Sequence, residues 1–431
     1  MAVRPRLAHE HVAPLRLLGW AVLLLNLAVL DPLEILRAHS FGDYASFHAA
    51  GVAIARGDSP YSVDDFREAS LGLGFVPHPY LYPPLLACVL YPLTFLGAWP
   101  ARILWELFSI AAALGTLRLL LRWIDENATD RAEEAKTAVV FVAAFFWPLR
   151  ECAWMGQVNV IVLFFILCWW LGRTRSRWAG AWLGVAIAIK MSPALLVLCP
   201  LTQRRWREAA VVAGAAGLLV TLSCAVMGSS ALVFPEAVLG GFLPGHAYHS
   251  FTIPIAYYGN NSLAALASAL TGNPGGDGLR LGLGALVLQV ALVLAMIGTW
   301  LVARRRMPPS RSFAALLVIM VLTPTYAWEH HLVFALFAVT VLVTSAAGRD
   351  RGWRVATAWV VVVWLCAPHT ALVLPEALAS RLGTLALMPK LLPLLGLFVL
   401  MVADGIVRRD ASPLARKETP MAAVGRRTVG T

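Results

Sequence analysis

The chain has 431 residues, of which 59% are hydrophobic and only 14% are charged, and its formal net charge is +11. Soluble domains carry about 25% charged residues, so the composition excludes an ordinary soluble domain. The basic residues stand in short clusters between apolar runs rather than on one polar segment, which argues against a nucleic-acid-binding domain.

Apolar runs of membrane-spanning length recur from Ala13 to Val402. A helix of about 20 apolar residues crosses the hydrocarbon core, so the sequence predicts an all-α polytopic membrane protein with about 11 to 13 transmembrane helices and half-helices. The first run, 15–30, has no small-residue cleavage site after it and is interpreted as an uncleaved anchor. We expect one multispanning domain over 1–408 and a polar, basic, disordered tail over 409–431.

Arginine clusters mark the cytoplasmic side by the positive-inside rule. They place the tail inside the cell, the first external loop at 31–80, and Gln157 outside. The clusters are Arg173, Arg175 and Arg177; Arg204, Arg205 and Arg207; Arg304, Arg305, Arg306 and Arg311; Arg349, Arg351 and Arg354; and Arg408 and Arg409.

The segment 81–150 leaves two topologies open. Tyr82–Leu96 and Ile103–Leu121 both have the composition of spans, yet counting both would place Gln157 in the cytoplasm. Either the proline-broken segment 82–92 is re-entrant, or the mixed-charge loop 122–136 is external.

Asp43 is the carboxylate of greatest interest, because it lies in the first external loop within Phe41-Gly42-Asp43-Tyr44. A helix is expected over Tyr44–Arg56, ended by Gly57-Asp58-Ser59-Pro60. Aspartate is a favoured N-cap, and a carboxylate at the membrane surface also suits a general base. The two interpretations are compatible.

The apolar stretch Trp178–Thr202 begins and ends on the cytoplasmic side. It is long enough only for two half-helices bent near Lys190-Met191-Ser192-Pro193, and such breaks are tolerated where they face protein or a wet cavity. Lys190 either extends its ammonium to the interface or binds an anionic group such as a phosphate.

Other polar residues are predicted on the same outer side. His330 and His331 are expected to contact a phosphate by hydrogen bonding or charge. Zinc is disfavoured because H-E-x-x-H spacing is absent and adjacent histidines should point to different helix faces, so no metal or other cofactor is predicted, although the metal requirement stays open. The candidate pocket residues are Tyr82, Gln157, Asn159, Asn260, Asn261 and Glu329. For Gln157, Asn159 and the two asparagines, helix capping is the alternative role.

Read in order, these motifs resemble glycosyltransferase family 87, the polyprenol-phosphate-mannose-dependent mannosyltransferases of the GT-C superfamily. The resemblance covers residues 43 to 331. Its motifs are Asp43, Gly57-Asp58-Ser59-Pro60-Tyr61, Tyr82-Pro83-Pro84, Gly156-Gln157-Val158-Asn159, Lys190, Asn260-Asn261-Ser262-Leu263 and Trp328-Glu329-His330-His331.

The resemblance implies a GT-C-like helical bundle with juxtamembrane helices in the first external loop. It implies an inverting hexosyltransferase of cell-envelope biosynthesis, with its catalytic pocket on the non-cytoplasmic side of the bacterial cytoplasmic membrane. The donor would be a polyprenyl-phosphate sugar and the acceptor a lipid-linked or envelope glycan. Asp43 would be the base, and Lys190 with His331 (or His330) would contact the donor phosphate.

Alternatives remain within and outside this family. Some relatives transfer arabinofuranose, and the family's His-Asp-type pair reads Glu329-His330 here. Broken helices and a buried lysine also fit a transporter or a flippase of lipid-linked glycans, although no internal repeat is visible. A non-catalytic scaffold would not explain why the polar motifs share one side.

Overall fold

The computed structural model describes residues 7–38, 41–74, 76–128, 131–237, 253–272, 279–347, 352–373, 375 and 383–407. Within these ranges the protein consists of helices and contains no β-strand. The α-helices are α1 Leu7–Leu25, α2 Asp31–Ala38, α3 Tyr44–Arg56, α4 Val63–Ala69, α5 Pro84–Leu90, α6 Ala98–Asn127, α7 Ala132–Phe145, α8 Trp147–Met155, α9 Asn159–Gly172, α10 Gly180–Ile189, α11 Leu198–Thr202, α12 Trp206–Met227, α13 Phe234–Ala237, α14 Leu263–Thr271, α15 Leu283–Ala303, α16 Pro309–Leu322, α17 Leu336–Ala347, α18 Trp353–Cys366 and α19 Leu391–Val407.

Among the described residues, four helical stretches are long and apolar enough to cross a membrane: Val12–Arg37, Ala98–Asn127, Trp206–Ala231 and Leu283–Ala303. A fifth results if α7 and α8, which meet at a 44° bend, form one span. Eight further apolar helices have 10–17 residues, in line with the expected mixture of helices and half-helices. The predicted all-α polytopic membrane fold is confirmed. The tail 409–431 lies outside the described residues.

The proline-broken segment after residue 82 is short. Helix α5 continues directly into a 3₁₀ helix, Tyr91–Leu96, so that the apolar stretch Pro84–Leu96 is well under the length of a span. At about 1.5 Å per residue, it covers roughly 20 Å of the 30 Å hydrocarbon core. This length favours the re-entrant interpretation.

The break predicted near Lys190 is present. Helix α10 ends at Ile189, Lys190 has extended backbone angles, and a 3₁₀ helix resumes over Ser192–Val197. Helices α10 and α12 are so closely packed that a Cβ on Gly184 would lie 2.6 Å from the Cβ of Ala215. Small residues allow helix axes in a membrane to approach in this way, and they fix the position at which Lys190 leaves the helix.

The expected helix Tyr44–Arg56 is confirmed with those bounds, and it ends at Gly57, whose φ of 82° is left-handed. The helix is mostly buried, including Tyr44 and Phe47. It therefore packs into the bundle rather than lying free in the first loop, and its N-terminus carries Asp43 into the interior.

Candidate active site

A cavity of about 340 Å³ lies where the N-terminus of α3, the break after α10 and the 3₁₀ helix Glu329–Ala335 meet. Most of the remaining wall is apolar or aromatic. The polar and ionisable side chains in the wall include Asp43, His78, Tyr82, Glu151, Gln157, Lys190, Glu329, His330, His331 and His369.

Two glycines bring Asp43 to this cavity. Gly42 and Gly156 have positive φ angles of 52° and 65°, and their turns touch backbone to backbone. A Cβ on Gly42 would lie 2.6 Å from the Met155 carbonyl oxygen, and one on Gly156 would lie 2.7 Å from the Cβ of Tyr44. The residues that follow these glycines, Asp43 and Gln157, consequently meet side chain to side chain.

A buried arginine on α6 supports the second of these turns. Arg102 donates from Nη2 to the Ala153 carbonyl at 2.8 Å, and its Nη1 pairs with Glu106 at 2.7 Å. Trp105 Nε1 donates to the Gly156 carbonyl at 2.7 Å. Glu106, an acid inside an apolar run, thus has its partner one helical turn earlier.

We predict that Gly42→Ala weakens both activity and stability. The new Cβ would meet the Met155 backbone and the positive φ would be strained, at a cost of about 1–3 kcal/mol. Displacement of Asp43 by about 1 Å should lower turnover roughly 100-fold. Gly72→Ala is the matched control, because nothing lies within 4 Å of its Cβ position. Gly42→Ala should show a lower rate of glycosyl transfer and a lower unfolding temperature in detergent than Gly72→Ala. Equal rates and equal unfolding temperatures would contradict the tight packing of Gly42 against Met155.

The Asp43 side chain does not cap its helix. Although Asp43 is the N-cap residue of α3, it makes no side-chain capping bond, and its Oδ2 accepts a hydrogen bond from Gln157 Nε2. Gln157 Oε1 in turn accepts from the Tyr82 hydroxyl at 3.0 Å. Burial raises the pKa of Asp43 above its ordinary value of 3.8, against the lowering effects of the Gln157 bond and of the His78 and Lys190 charges. The carboxylate therefore lines the cavity and is held there by Gln157 rather than by its own helix.

Lys190 points its ammonium into the same cavity. Its Nζ donates to Asn159 Oδ1 at 2.7 Å and lies 5.2 Å from the centre of the Tyr82 ring. Asn159 is fully buried, holds the His330 carbonyl through Nδ2 at 3.2 Å and is not part of the cavity wall. Asn159 thus positions the lysine, whose remaining N–H donors are available to a ligand.

His330 and His331 line the cavity together, with ring centres 4.6 Å apart. The expected divergence of adjacent histidines is not observed, since both rings line the cavity from the 3₁₀ helix Glu329–Ala335. His331 Nδ1 accepts from the Trp328 backbone N–H at 2.9 Å, so the neutral ring carries its proton on Nε2. His331 is therefore a hydrogen-bond donor.

Asn260 and Asn261 lie outside the cavity wall. Both are fully buried and bond to backbone. The Asn260 side chain joins its own loop to the loop that contains Thr325 and Ala327. Its Oδ1 accepts from the Ala327 N–H at 2.8 Å, and its Nδ2 donates to the Thr325 carbonyl at 3.0 Å. Asn261 Oδ1 accepts from the Lys390 N–H at 2.8 Å. Ser262, rather than either asparagine, caps α14. The two asparagines act as framework residues in the structure.

Three ionisable residues near the cavity were not expected from the sequence. Lys390 is fully buried and bonds to Glu329 Oε1. His369 contacts Glu329 Oε2, and Glu151 lines the same cavity. Possible metal-ligand atoms of Glu151, Glu329 and His369 lie within 4.8 Å of one another. However, the positive charge of the Lys390 ammonium already balances the negative charge of the Glu329 carboxylate. Lys390 opens an apolar helix, so the rule that flags ionisable groups at membrane depth would have found it.

Comparison with known proteins gives a family match and several relatives. A model described as glycosyltransferase family 87 matches residues 80–325, more than half of the chain. A polyprenol-phosphate-mannose-dependent alpha-(1-2)-phosphatidylinositol pentamannoside mannosyltransferase of Mycolicibacterium smegmatis is 27% identical over 72% of each chain. An alpha-(1->3)-arabinofuranosyltransferase of Mycobacterium tuberculosis is 31% identical over 32% of each chain.

Among solved structures, the chain matches ArnT from Cupriavidus metallidurans bound to undecaprenyl phosphate. The TM-score is 0.39 and the identity is 15%, over 93% of this chain and 78% of ArnT. Asp43, Glu329 and His369 lie outside the segment matched by the family model.

Proposed function

Because this chain belongs to glycosyltransferase family 87, we propose that it transfers a hexose, mannose in the first instance, from a polyprenyl-phosphate donor to a glycolipid or envelope glycan. The names of the mycobacterial relatives support this donor and acceptor class. The observation that carries the proposal is the placement of the Asp43 carboxylate and the Lys190 ammonium in one cavity. The cavity would open on the non-cytoplasmic side of the bacterial cytoplasmic membrane.

Asp43 is the general base of the proposed reaction. An acceptor hydroxyl is a poor nucleophile, and a positioned carboxylate takes its proton as the oxygen attacks the anomeric carbon. The C–O bond to the acceptor forms as the bond to the phosphate oxygen breaks, with inversion at that carbon. A β-linked donor then gives an α-linked product without a nucleophilic carboxylate of the retaining type. Gln157 and Tyr82 orient the base.

Lys190 and His331 stabilise the leaving group. The polyprenyl phosphate departs with its own negative charge, so it needs cations and N–H donors rather than a protonating acid. Lys190 offers an ammonium held by Asn159, and His331 offers its Nε2–H. Charge-assisted bonds to phosphate are among the strong hydrogen bonds, and the donor's lipid tail explains why the site belongs in a membrane protein.

The pH dependence of sugar transfer should reflect the protonation of the Asp43 carboxylate. Because burial raises its pKa above 3.8, kcat/KM should fall as the pH is lowered through a value above the ordinary carboxyl range, since the protonated form cannot accept a proton. The measurement is a pH–rate profile at subsaturating acceptor. A rate that stays constant down to about pH 4, where ordinary carboxyls titrate, would contradict the assignment.

Transfer can be tested with purified protein in detergent, polyprenyl-phosphate [³H]mannose and a synthetic octyl α-D-mannoside. Labelled disaccharide is the expected product. The arabinofuranosyltransferase relative favours one second candidate, which polyprenyl-phosphate arabinofuranose tests in the same assay. Failure of both donors would contradict the proposed donors for this acceptor. Uptake of a lipid-linked glycan by proteoliposomes without chemical change would instead show transport.

A further inference from the structure

A buried ionic group that the proposed reaction does not use lies beside the cavity and contributes two residues, Glu329 and His369, to its wall. Glu329, Lys390 and His369 come from three separate segments of the chain. Glu329 and Lys390 are 2% and 0% exposed. Glu329 Oε1 bonds to Lys390 Nζ, and Oε2 accepts from the His369 backbone N–H at 3.1 Å and contacts its Nδ1 at 3.0 Å. Both oxygens of the Glu329 carboxylate are therefore bonded to other groups of the protein.

The arrangement fixes the tautomer of His369. An ionised carboxylate only accepts hydrogen bonds, so the contact requires the His369 proton on Nδ1. In the neutral ring Nε2 then carries a lone pair. This is the reverse of His331, whose Nδ1 accepts a backbone N–H, so the Nε2 atoms of these two imidazoles have opposite hydrogen-bonding roles.

Neighbouring residues hold His369 at the cavity. The Tyr258 hydroxyl donates to its carbonyl at 2.6 Å, and the two rings are 5.8 Å apart. The His369 side chain is 25% exposed, and it lines the cavity beside Tyr257, Tyr258 and Trp328. Aromatic faces with a few fixed polar atoms are typical of small-molecule sites that set orientation.

We propose that His369 Nε2 accepts a hydrogen bond from a sugar hydroxyl, and that Glu329 and Lys390 are positioning residues that hold the ring by its Nδ1–H and leave Nε2 toward the cavity. The inference rests on the proposed function and adds a specificity determinant to it. The hydroxyl belongs either to the donor sugar or to the acceptor glycan, which share this chemistry. His369 would contribute to binding and orientation, whereas Asp43 carries the proton transfer.

The test is a kinetic comparison of His369→Ala with His369→Gln, using polyprenyl-phosphate mannose and octyl α-D-mannoside. The alanine variant should raise KM for one of the two sugars roughly tenfold, as expected for one lost hydrogen bond, with little change in kcat. Glutamine can place an amide oxygen near the position of Nε2 and should recover most of the affinity. A rise in KM for the mannoside identifies the acceptor hydroxyl, and a rise for the donor identifies the donor sugar.

Controls separate this inference from folding and from the proposed function. Val373→Ala changes a 68% exposed residue just after His369 and should behave as wild type. The double variant Glu329→Leu/Lys390→Met removes the acceptor for His369 Nδ1 without leaving a buried unpaired charge, so it should raise the same KM as His369→Ala does. Unchanged KM values in His369→Ala, or equal loss in the alanine and glutamine variants, would overturn the inference. Absence of transfer by wild-type protein would count against the proposed function instead.

Discussion

Replacement of Asp43 by asparagine should lower kcat about a thousandfold, within the range of 10²- to 10⁴-fold that general-base catalysis supplies. Asparagine has nearly the same shape and keeps an oxygen that can accept from Gln157 Nε2, so the turn formed by Gly42 and Gly156 should persist. The acceptor hydroxyl would lose its proton acceptor. Donor binding should change little, so the measured loss should appear in kcat rather than in the donor KM.

Asp64→Asn is the matched control for this experiment. Asp64 is an exposed acid in the first turn of α4, within the same segment 31–80 that was predicted to form the first external loop. It should retain wild-type turnover and unfolding temperature. Wild-type turnover by Asp43→Asn would remove Asp43 as the base, and a large loss in Asp64→Asn would mean that loop charge rather than base catalysis is being measured.

Replacement of Lys190 by methionine should reduce kcat/KM about 100- to 1,000-fold, the loss typical of removing one electrostatic stabiliser of a developing charge. Methionine retains most of the apolar stem, so packing at the α10 break should survive. The ammonium that Asn159 aims into the cavity would be gone. Both donor affinity and turnover should suffer, because the phosphate is charged in the ground state and gains charge as the bond breaks.

Lys136→Met provides the comparison for loss of a lysine charge. Lys136 lies on α7 outside the cavity wall, in ion pairs with the partly exposed Asp125 and Glu133. Surface pairs of this kind contribute about 0–1 kcal/mol, so transfer should be retained. If Lys190→Met keeps wild-type kcat/KM, the donor phosphate does not lie at Lys190.

Local signals in the sequence predicted the elements that carry the site. Helix Tyr44–Arg56 was bounded by a left-handed glycine, and the break at Lys190 followed from an apolar stretch too short for two full spans. In both cases the information lies within a few residues. The role of the Asp43 side chain was not decidable in this way, because its partner Gln157 is 114 positions away.

Long-range polar contacts explain what sequence reasoning missed. Asn260 and Asn261 looked like pocket residues because polar side chains beside apolar runs attract functional interpretations. Their amides instead satisfy buried backbone groups of other loops, a need that appears only once those loops are packed. His369 became visible only through its contacts with Glu329, 40 positions earlier.

The most direct test of the account is the anomeric configuration of the product. Purified wild-type protein would be given β-configured polyprenyl-phosphate mannose and octyl α-D-mannoside, and the disaccharide would be analysed by NMR with Asp43→Asn in parallel. The account predicts an α-linked mannosyl product from wild type and almost none from the variant. A β-linked product, or equal product from both proteins, would contradict single-displacement transfer with Asp43 as the base.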